Sequence, residues 1–76
     1  MDKEKSQKVR AAIAEVIGFE VDDIQDGDRF ITDYNIAYTE RKALLERLNS
    51  EFGKEMEFNE FCSLEDVASV AKAFAG

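Results

Sequence analysis

Three runs of apolar residues at helical spacing constrain this chain more than any other feature. Val9, Ile13, Val16 and Ile17 form the first, Leu44, Leu45, Leu48 and Phe52 the second, and Val67, Val70, Ala71 and Phe74 the third. Each traces one stripe of a 3.6-residue period, as an amphipathic helix with a single face to bury requires. The punctuation agrees. Gly18 and Gly53 stand where left-handed helix ends are wanted, and Ser6 is a candidate N-cap for the first helix. "SLED" predicts that the last helix opens at Ser63, with Asp66 three residues on as a capping partner. A short apolar segment with Met56, Phe58 and Phe61 is long enough for one further turn. The expectation is an all-α four-helix bundle with a long first loop and a shortened third helix.

The long loop reads "FEVDDIQDGDRFITDYNIA". It is too acidic and too broken by Asp and Gly to form a sheet. Val21, Ile24, Phe30, Ile31 and Ile36 interrupt the acids, so the loop is expected to be pinned to the core, with short helical turns inside it. Asp22, Asp23, Asp26 and Asp28 around Gly27 invite a calcium reading, but the twelve-residue spacing and terminal bidentate Glu of an EF-hand are missing.

With 76 residues the chain makes one domain, residues 1–76, and its core is modest. It has no His and one Cys, which removes zinc and any internal disulfide. Cys62 reads as a small, partly buried hydrophobe, because no basic neighbour is available to activate its thiol. No run is long enough to span a bilayer and "MDKEKSQK" lacks the apolar core of a signal peptide, so a monomeric cytoplasmic protein is expected without membrane insertion. The net charge of −7 disfavours nucleic acid, whose phosphates need a basic face. The acids concentrate in the long loop and after residue 51, whereas the second helix carries Arg41, Lys42 and Arg47. No spacing of carboxylates, Lys and hydroxyls builds a catalytic arrangement, so no enzyme activity and no catalytic or metal-binding residues are expected.

The order of these pieces resembles the acyl carrier protein family along nearly the whole chain. "VIGFEVDDIQDGDRF" matches the step from the family's first helix into its acidic loop. Phe30, Asp33 and Tyr34 match the approach to helix two, "EFGKEM" its end, and "SLEDV" the start of the last helix. The resemblance implies an acyl-carrier-like four-helix fold. In such carriers Asp-Ser-Leu opens helix two, and its Ser holds the 4′-phosphopantetheine arm that bears the acyl thioester. Counting from Phe30 or back from Phe52 puts that position at Tyr38, with Ala37 and Thr39 beside it.

The departures run in one direction. All three residues of the attachment motif differ, and Arg41, Lys42, Ala43, Arg47, Asn49 and Ser50 stand on a helix that is acidic in the family. The segment between Met56 and Ser63 is also shorter than in fatty-acid carriers. The resemblance therefore implies a relative without the prosthetic group, serving as a binding or regulatory module in a fatty-acid, polyketide or peptide-type biosynthetic system. Its partners would be enzymes with an acidic or mixed docking face, met by Tyr38, Arg41, Lys42 and Arg47. Tyr38 reads either as a ring packed on top of the bundle with its hydroxyl in water, or as a plug over an acyl cavity. One alternative is a working carrier with 4′-phosphopantetheine on an atypical residue, Thr39 being the nearest hydroxyl. It sits about 100° further round the helix, crowded by its β-branch. Another is a generic helical interaction domain.

Overall fold

A computed structural model of the chain describes residues 3–75. Four helices follow one another: α1 (Lys3–Ile17), α2 (Tyr38–Phe52), α3 (Phe58–Cys62) and α4 (Val67–Ala75). The connection between α1 and α2 holds a single 3₁₀ turn, Val21–Asp23. The architecture is all-α, with the long first loop and the short third helix that the apolar spacing calls for.

Helix α1 starts earlier than Ser6 suggested. Lys3, Glu4 and Lys5 are good helix formers, Glu4 lies near the positive end of the helix dipole, and Ser6 falls inside the helix. Gly18 ends it in the left-handed conformation (φ 78°), with the Gly18 and Phe19 N–H groups both donating to the Ala14 carbonyl at 2.9 Å. Helix α2 ends the same way at Gly53 (φ 64°), where Lys54 N–H donates to the Asn49 carbonyl at 2.9 Å. A side chain at either position would be forced into a backbone conformation that L-residues resist.

The buried face of α1 is broader than its large apolar residues predicted. Val9, Ala12, Ile13 and Ala14 are buried, whereas Val16 and Ile17 pack only partly against the core. Helix α1 touches both α4 and α2, and the small Ala12 and Ala14 can be covered completely. Leu44, Leu45 and Leu48 of α2, Phe61 of α3, and Val67, Val70, Ala71, Phe74 and Ala75 of α4 complete the helical part of the core. Phe74 stands 6.0 Å from Phe52 and 6.2 Å from Phe61, ring centre to ring centre, so aromatic contacts join α4 to both neighbours.

Ile24, Phe30 and Ile36 anchor the long loop in this core, but Ile31 does not: it is 60% exposed. The neighbours Phe30 and Ile31 point apart, and only one of them can face inward. The loop is then stitched to α4 through its backbone. Val67 N–H donates to the Asp28 carbonyl at 3.0 Å, Ala68 N–H to the Asp26 carbonyl at 2.9 Å, and Phe30 N–H to the Glu65 carbonyl at 3.1 Å. Arg29 and Asp66 meet there in an isolated antiparallel bridge.

The expected N-cap at Ser63 is displaced by three residues. Ser63 instead closes α3, its hydroxyl donating to the Glu60 carbonyl at 2.6 Å. Asp66 is the residue that caps α4, its Oδ1 accepting the Ser69 N–H at 2.8 Å. The bridge to Arg29 keeps Glu65 and Asp66 extended, so the helix cannot begin before Val67.

The Ser69 hydrogen bonds hold the Asp66 carboxyl below the usual carboxylate range. Its folded-state ionisation lies below the unfolded one, so the cap contributes above about pH 4 and is lost as pH falls through the folded value. Thermal denaturation across acidic pH checks this: Asp66→Asn should lose less melting temperature than the wild type between neutral pH and about pH 3. In the same assay at neutral pH, Leu48→Ala should cost about 2–5 kcal/mol through the cavity it leaves.

Candidate functional site

The start of α2 is built by the loop that precedes it. Asp33 Oδ2 accepts the Arg29 N–H at 2.7 Å, and the Asp33 and Tyr34 N–H groups return to the Arg29 carbonyl at 3.0 and 3.2 Å. Asn35 then takes a left-handed conformation (φ 51°), which Asn tolerates better than most residues. The chain turns back, and Ile36 N–H donates to the Phe30 carbonyl at 3.0 Å. With Ile36 buried, Ala37 is left extended on the surface as the residue before the helix.

Tyr34 braces this turn. Its hydroxyl donates to Asp28 Oδ2 at 2.6 Å, and the same oxygen accepts the Gln25 N–H at 3.0 Å. Its ring stands edge-on to Phe19 at 5.4 Å and to Phe30 at 6.0 Å. Burial, and then the bond to the Asp28 carboxylate, push the phenol well above its ordinary range, so Tyr34 stays a protonated donor.

Helix α2 opens with half of a capping box. Glu40 Oε1 accepts the Ala37 N–H at 2.9 Å, but the alanine methyl has nothing to offer the helix's own first N–H groups. Tyr38, the first helical residue, is 65% exposed, and its ring meets Phe58 of α3 edge-on with centroids 5.0 Å apart. That exposure puts the ring on the outside of the bundle rather than down into it. Thr39 is exposed on the next position round the helix.

The three cations expected on this face part company. At about 100° per residue, Arg41 and Lys42 flank Tyr38, whereas Arg47 lies about half a turn away. Lys42 is exposed. Arg41 is half-buried, its guanidinium carbon 6.0 Å from the centre of the Phe30 ring. Arg47 turns to α1, where its Nη1 lies 2.5 Å from Glu15 Oε2, and its Nε lies 4.0 Å from Glu51 Oε2 on α2. The bond to Glu15 raises its already high pKa. Arg47 is therefore a tie between two helices, and the exposed positive charge on the Tyr38 side is Lys42.

Two contributors escaped the apolar pattern. Phe58, part of the short apolar segment, packs partly against the core and also forms the ledge for Tyr38, and nothing in its spacing distinguishes it from Phe61. Asn49 is a two-way clamp, its amide nitrogen donating to the Met56 carbonyl at 3.0 Å and its oxygen accepting the Met56 N–H at 3.1 Å. An acidic residue there could accept but not donate. Asn49 thus holds the segment leading into α3, and with it the Phe58 ledge. Cys62, at the end of α3, is half-buried. Among the described residues, no group of three or more His, Cys, Asp or Glu side chains is arranged to hold a metal ion, and no helix is long and apolar enough to cross a membrane.

No protein-family model matches the chain, and no curated protein shows significant similarity to it.

The Arg47–Glu15 pair is solvent-facing on both sides, so its contribution is small despite the short contact. A double-mutant cycle of Arg47→Ala and Glu15→Ala, read by urea denaturation, should give a coupling of about 0.2–1 kcal/mol. Strict additivity would mean that the two side chains do not hold α1 to α2.

Proposed function

We propose that this chain is an acyl-carrier-like docking module that holds no phosphopantetheine and binds proteins of a fatty-acid, polyketide or peptide-type biosynthetic system. The observation that carries the reading is the exposed Tyr38 ring at the first residue of α2, laid against Phe58. At that corner a carrier needs a small alcohol, free to attack a phosphorus atom and then to act as the pivot of a long arm.

The residues present do not fit such an arm. A phenol oxygen lies at the far end of a rigid ring, several ångströms from where a serine oxygen would stand. Ala37 supplies no carboxylate beside it, and Thr39 points to another side of the helix with a branched, crowded hydroxyl. What remains is a surface for contact: an aromatic ring with the Lys42 ammonium beside it and the edge of Arg41 against Phe30. Tyrosine suits such a role because it contributes a large contact area at little conformational cost. A carboxylate on the partner would meet Lys42, which repels the basic patches that acidic carriers engage. Arg47, held by Glu15, takes no part.

Two measurements test this. Incubation with coenzyme A and a promiscuous phosphopantetheinyl transferase should leave the intact mass of the wild type unchanged. The variant Ala37→Asp/Tyr38→Ser/Thr39→Leu should gain the arm, because the loop and the Asn49 clamp still present the start of α2. A stoichiometric adduct on the wild type would replace this reading with that of a working carrier. Failure of the folded triple variant to load would remove the carrier-like part of it.

A further inference from the structure

We draw no further inference here: the strongest candidate, the surface patch where the exposed Phe19 ring stands edge-on to Tyr34 at the junction of α1 and the long loop, carries nothing because nothing in the structure shows what covers it.

Discussion

The structure depends on what the first turn of α4 does with its unpaired N–H groups. A helix start leaves donors that have no partner within the helix, and here the long loop supplies the acceptors. Val67 and Ala68 donate to the carbonyls of Asp28 and Asp26, and Ser69 to the Asp66 carboxylate. The Phe30 N–H returns one bond to Glu65. Arg10 of α1 clasps the same loop from the other side, donating to the Ile24 carbonyl at 2.8 Å and pairing with the Asp26 carboxylate. A segment with no long regular structure is thereby held on two helices. Everything downstream, from the Phe30 anchor to the turn at Asn35 and the opening of α2, inherits its position from these bonds.

That arrangement explains what could be read in advance and what could not. The stripes Leu44–Leu45–Leu48 and Val67–Val70–Ala71–Phe74 announce their helices because burial of one face follows a local period. The glycine ends at Gly18 and Gly53 are equally local, since only the backbone conformation decides them. Ser63 and Ser6 misled for the complementary reason. A Ser before an apolar run is a good cap in isolation, but the carbonyls from residues 26 and 28 and the extended bridge at Asp66 settle where α4 begins. Ile31 reads as an anchor beside Phe30, and only the path of the loop shows which of the two faces in.

The charged residues teach the same lesson at the candidate site. Arg41, Lys42 and Arg47 look alike as a basic cluster in the chain. In space they have three fates: one lies over Phe30, one is free on the surface, and one is spent on Glu15. Asn49 is polar on both counts in its setting, its amide donating to the Met56 carbonyl and accepting the Met56 N–H. The reading of Ala37, Tyr38 and Thr39 as standing in for an attachment motif rests on resemblance alone. The Phe58 contact that gives Tyr38 its setting was not legible at all, since it joins the first residues of two successive helices, whose relative placement no local period reveals.

The account stands on one claim: the corner where α2 begins presents an aromatic contact and carries no arm. Intact-mass spectrometry of the protein isolated from the cells that make it addresses this without any added enzyme. The account predicts the mass of the bare polypeptide, with Tyr38 and Thr39 unmodified on fragmentation. A mass raised by a phosphopantetheine group, free or acylated, would contradict it.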